Sequence, residues 1–145
     1  MISVEILPGL WLSDFQGSKN SQFLTTNNIE STIDCNNYLN YSSHKYNSPL
    51  KENLEEKEII HTLKFLVKIT EYIFENLKKC NNTLICCHNN LTISISVIIA
   101  YIMRYGKMNK AQIVKSLKTK MSYITISKIC NKSLDIFQSY LDKNI

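Results

Sequence analysis

The sequence predicts an α/β domain in which a central, mainly parallel sheet is flanked by helices. Three observations predict it. The first third alternates short apolar runs with turn signals, and a long amphipathic pattern follows over Glu55 to Lys79. A brief apolar run at Thr83 to Cys86 then separates that pattern from three further helical ones. A buried run with helices before and after it reads as a central strand.

In chain order, Val4 to Leu7 and Leu10 to Leu12 read as strands joined by a Pro8-Gly9 turn, and Ser31 to Cys35 reads as a third strand. A helix or turn is expected from about Ser18 to Thr26, and the polar segment Asn36 to Lys51 reads as a surface loop. Over Glu55 to Lys79 the apolar positions Ile59, Leu63, Leu66, Val67, Thr70, Ile73, Phe74 and Leu77 recur at helical spacing. Ile93 to Tyr105 is an apolar helix, with Gly106 as the expected C-terminal cap. Asn109 to Lys120 and Ser127 to Lys143 complete the pattern, with Asn109 placed to cap the first of the two.

At 145 residues the chain is the length of one domain, and no change in composition marks a linker, so residues 1–145 are read as one unit. Hydrophobic residues make up 44% and charged residues 20%, a balance that can bury a core and excludes a disordered chain. The longest apolar stretch, Ile93 to Met103, is too short to span a bilayer, and no secretory leader pattern opens the chain. The five cysteines are odd in number and scattered, which argues against a disulfide framework and for a reducing, intracellular setting, cytoplasmic or nuclear. The net charge of +5 comes from lysines spread along helices, the ordinary pattern of solvated faces, so a nucleic-acid partner is not expected.

The informative junction is the run from Leu84 through Cys86-Cys87-His88-Asn89-Asn90-Leu91-Thr92-Ile93-Ser94. A strand entering a tight loop that opens a helix turns backbone N–H groups and the positive end of the helix dipole into the loop. Such a loop suits a bound anion. A cysteine at its mouth has its thiolate favoured, which makes Cys87 a candidate nucleophile; the competing reading is an inert, buried cysteine. Cys86, Cys87 and His88 are consecutive and cannot easily converge on one tetrahedral ion, and no second ligand pair has zinc spacing. Neither a metal nor any other cofactor is expected.

With Ala100-Tyr101-Ile102-Met103 in the following helix, the junction resembles the loop of the dual-specificity protein phosphatases, His-Cys, five residues, then Arg-Ser, before a helix containing Ala-Tyr-Leu-Met. The resemblance implies that family's fold over most of the chain. Ile6 to Ser13 looks like its opening strand pair and Asn28 to Ile33 like the next strand. It places the nucleophile on Cys87, the preceding His on Cys86, the loop Gly on Asn90, the loop Ser on Thr92 and the Arg on Ile93, with Ser94 matching the residue after the Arg. Glu52 is the closest acidic match to the general-acid Asp.

The departures imply a dead enzyme. Ile93 cannot make the bidentate, charge-assisted pair that the family's Arg makes with phosphate. Loss of one such electrostatic partner typically costs roughly 2.7–4 kcal/mol of transition-state stabilisation, on the order of a hundred- to thousandfold in rate. Cys86 lacks the hydrogen bonds of the His, Asn90 carries a side chain where Gly lets the loop close, and Glu52 lengthens the acid's arm. Met121 to Ser127 keeps the apolar anchor of a later family segment without its Arg-Pro and Pro-Asn pairs. The implied function is a pseudophosphatase, similar to the serine/threonine/tyrosine-interacting ones, that binds a phosphorylated protein or a protein kinase without hydrolysing phosphate. An anion in the loop and a homodimer are both left open. The alternative is a weak cysteine-dependent phosphatase, with Lys45, Lys51 or Arg104 replacing the guanidinium, or a thiol-redox protein acting through Cys87. A basic domain that binds polyanions ranks last.

Overall fold

A computed structural model describes residues 1–35, 44–45, 59–87, 91–122 and 124–143, with backbone alone at 44–45, 59–62 and 129. Two strands open the chain, β1 (Ser3–Leu7) and β2 (Leu10–Ser13), followed by short helices α1 (Phe15–Lys19) and α2 (Ser21–Thr26). Then come β3 (Ile29–Asp34), β4 (His44–Lys45), α3 (Ile59–Lys78), β5 (Asn82–Cys86), α4 (Thr92–Gly106), α5 (Lys110–Lys120) and α6 (Lys128–Lys143). The sheet has five strands in the order β1-β2-β5-β3-β4. β1 and β2 are antiparallel, and every other pairing is parallel, which is the mixed, mainly parallel sheet expected.

Local chemistry explains the element boundaries. Pro8 fixes the first central residue of the β1–β2 turn, and Gly9 takes the second at φ +85, where a side chain would be strained. Asp14 and Asn20 cap the two short helices by accepting from Gly17 N and Phe23 N. Asn109 and Gln112 form a reciprocal capping box at the start of α5, as the placement of Asn109 before the helix predicts. One expectation shifts by a residue. α4 runs through Gly106, and the left-handed position after it is held by Lys107 at φ 57. Gly106 is instead small because a Cβ there would come within 2.9 Å of Ile102 Cγ2.

The segment read as a surface loop contains β4, two residues paired to Ile33 and Asp34. A polar edge strand held by backbone bonds leaves no hydrophobic alternation to read. The rest of that loop, and residues 55–58 of the predicted helix, lie outside the described residues.

Alternation along the strands sorts the core. Leu10 and Leu12 of β2, Ile33 of β3 with Cys35 after it, and Ile85 of β5 with Cys87 after it join one cluster with Leu66, Ile69 and Ile73 of α3, most of α4, and Ile113 and Leu117 of α5. The opposite face is covered by the short helices, with Trp11 edge-on to Phe23 at 5.6 Å. α4 is buried without a break from Thr92 to Met103, because α3, α5, α6 and β5 all pack on it. A helix that is apolar all round needs such an enclosed place. Among the described residues no helix is long and apolar enough to cross a membrane.

Candidate functional site

The site is built where β5 ends and α4 begins. β5 lies at the centre of the sheet between β2 and β3, so its C-terminal end delivers Cys86 and Cys87 to the middle of the molecule. In register, Cys86 stands beside Asp34, and Cys35 N donates to Cys86 O at 3.0 Å, extending the ladder by one residue. The strand alternation then parts the neighbours. Cys87 and Cys35 face α4, with Ser94 acting on both thiols. Cys86 faces the other way, toward Ser18 of α1, and its Sγ lies 3.5 Å from Ile33 O.

Leu91 stands at the N-cap of α4, and its side chain makes no capping hydrogen bond. Backbone N–H groups of Ile93 and Ser94 are directed at Cys87. Ser94 Oγ is fully buried and has no partner of good hydrogen-bond geometry, so its contact with the two thiols is weak. Burial raises the Cys87 thiol above its ordinary value and outweighs hydrogen bonding from Ser94 and from the Ile93 N–H, which pulls it down. Cys87 is only 1% exposed. The thiolate expected at the loop mouth is therefore disfavoured: the sequence pattern reports the donors but not the depth.

Its neighbours are raised as well. Burial, then the Asp34 carboxylate, pushes Cys86 up to about 12, and burial followed by the other thiols pushes Cys35 up. A thiol raised on folding supports the native state fully below its unfolded pKa and loses that contribution as pH rises through the folded one. Stability should thus be insensitive to these groups below pH 9.0, the ordinary thiol value, and fall from there toward about 12. Urea melts across that range should show the decline, and Cys86→Ala should make it shallower. An unchanged decline in the variant would assign it to other groups.

Ile93, at the position the resemblance gives to the guanidinium, is 9% exposed and belongs to the core cluster. It does not merely lack a charge; it points apolar surface inward. Arg104 does not replace that charge. Its Nη1 donates to Val67 O at 2.8 Å and to Thr70 Oγ1 at 3.1 Å, and its guanidinium lies 5.0 Å from the Tyr105 ring centroid. Arg104 is also eleven residues beyond Ile93 on one helix, roughly 16 Å along the axis. Thr92 and Ser94 are buried in the first turn of α4, while Leu91 is half-buried ahead of it. Glu52, His88, Asn89, Asn90 and Lys51 lie outside the described residues, as does the side chain of Lys45. No group of three His, Cys, Asp or Glu among the described residues is placed to hold a metal. Cys35 and Asp34 are the members of the site that sequence reasoning did not single out, and the signal for them was the end of the predicted third strand.

No protein-family model and no curated protein matches the sequence. Solved structures do match. A single-substitution variant of human DUSP28 superimposes with a TM-score of 0.83 at 14% identity, covering 99% of this chain and 98% of its own. The chain has a dual-specificity phosphatase fold. DUSP15 matches with a TM-score of 0.78 at 17% identity over 99% of this chain and 96% of its own. The human tyrosine phosphatase-like serine/threonine/tyrosine-interacting protein matches with 0.73 at 18% over 94% and 95%. At the junction of β5 and α4 this chain carries Cys87, with isoleucine at position 93.

Proposed function

We propose that the chain is an intracellular pseudophosphatase that binds a phosphorylated protein or a protein kinase and does not hydrolyse phosphate. The observation that carries this reading is Ile93, buried in the core where phosphate chemistry on this loop needs a guanidinium. The raised Cys87 thiol supports it, since a protonated thiol is a poor nucleophile. The inward-directed N–H groups of Ile93 and Ser94 favour retention of an anion, which suits recognition of a phosphorylated side chain. A structural neighbour named for interaction with serine, threonine and tyrosine fits the same reading. The second reading, weak cysteine-dependent catalysis, draws on those same N–H groups but must overcome the burial of Cys87.

The test pairs two measurements on the purified chain. Hydrolysis of an aryl phosphate should not exceed the rate of Cys87→Ser. A fluorescent phosphotyrosine peptide should bind more tightly than its unphosphorylated form and be displaced by inorganic phosphate. Turnover through Cys87 would establish the second reading instead, and equal binding of the two peptides would rule out phosphate recognition at the loop.

A further inference from the structure

Outside the loop, a groove of about 730 Å³ runs between α5 and the segment leading into α6. Val114, Ile124 and Ile126 give it an apolar lining, and Lys110, Lys115 and Lys118 stand along it. None of the described residues from Cys87 to Ser94 lines it.

The charge on α5 is of one sign. Its sequence, KAQIVKSLKTK, carries four lysines and no acidic residue, so no opposite charge offsets them at i+3 or i+4 within the helix. Lys118 and Lys120 lie in the last turn, where the helix dipole favours a cation. That account does not extend to Lys115, in mid-helix, or to Lys110, in the first turn, where the dipole opposes it. Lys110 is neutralised by Asp135 of α6. Lys115 and Lys118 are exposed and form no ion pair among the described residues.

We infer that this groove docks a protein segment in which acidic side chains alternate with aliphatic ones. The lysines meet the carboxylates at the rim, and the aliphatic side chains cover Val114, Ile124 and Ile126. The inference goes beyond the phosphate-binding reading and does not depend on it.

The probe is a fluorescein-labelled synthetic peptide alternating glutamate with leucine, titrated against the whole chain by anisotropy. Binding should weaken as salt rises. Lys115→Glu with Lys118→Glu should lower affinity about tenfold or more, whereas Lys115→Arg with Lys118→Arg should retain it. Both lysines are exposed, so equal melting curves check that the variants are folded. Replacing the leucines of the peptide by serine should abolish most binding. The inference is overturned if the peptide does not bind, if the Glu pair binds as the wild type does, or if the serine peptide or a single-stranded oligonucleotide binds as tightly. That last result would make the surface a general attractor of polyanions. Phosphopeptide binding should be untouched by the Lys115 and Lys118 changes, so the two proposals fail independently.

Discussion

Installing Ile93→Arg together with Asn90→Gly and Cys86→His is expected to raise aryl-phosphate hydrolysis by at least about a hundredfold over the unmodified chain, and Cys87→Ser should abolish the gain. The scaffold already directs N–H groups of Ile93 and Ser94 at the Cys87 sulfur. What it lacks is positive charge to outweigh desolvation, and a guanidinium beside the thiol supplies it. The rate should therefore rise along an acidic limb set by a lowered Cys87 pKa. The substitution also carries a folding cost, because Ile93 lies in the core cluster at 9% exposure. An unpaired charge buried there costs about 3–5 kcal/mol, and an anion in the loop offsets it. Inorganic phosphate should accordingly raise the melting temperature of the restored chain more than that of the wild type. A restored chain that is folded, binds phosphate and still does not turn over would show that the loop cannot place Cys87 for in-line attack.

The largest effect on stability is expected for Phe137→Ala, about 3–5 kcal/mol. Phe137 is fully buried, and with Cys130 and Leu134 it forms the stripe by which α6 closes over α4. Removing the ring opens a cavity in the closely packed layer between α6 and α4. For a chain of this length the melting temperature should fall by roughly 10 °C. Calorimetry measures it directly. A loss below about 1 kcal/mol would mean that α6 packs more loosely than the closed stripe implies.

The expected behaviour at Ile93 follows from the resemblance to the dual-specificity phosphatases, which implies a guanidinium at the position where the sequence has isoleucine. What the residues could not say is where Ile93 points, since burial depends on α3, α5 and α6 closing around α4. Cys87 shows the same divide. A strand-loop-helix pattern predicts donors aimed at a sulfur, which is local geometry, but the net direction of its pKa is decided by desolvation from distant segments. Arg104 was a candidate replacement charge only while its neighbours were unknown. Its bonds to Val67 and Thr70 come from a helix more than thirty residues earlier in the chain.

By itself, then, the sequence determined the alternation of strands and helices, the turn at Pro8-Gly9 and the cap at Asn109, and the central place of the Thr83 to Cys86 run. Each follows from periodicity, backbone preference or side-chain chemistry within a few residues. Only the tertiary structure decided the strand order β1-β2-β5-β3-β4, the pairing of β4 within a polar segment, the opposite facing of Cys86 and Cys87, and the depth of the loop thiol. Those depend on contacts between segments far apart in the chain, where burial and register outweigh any local preference.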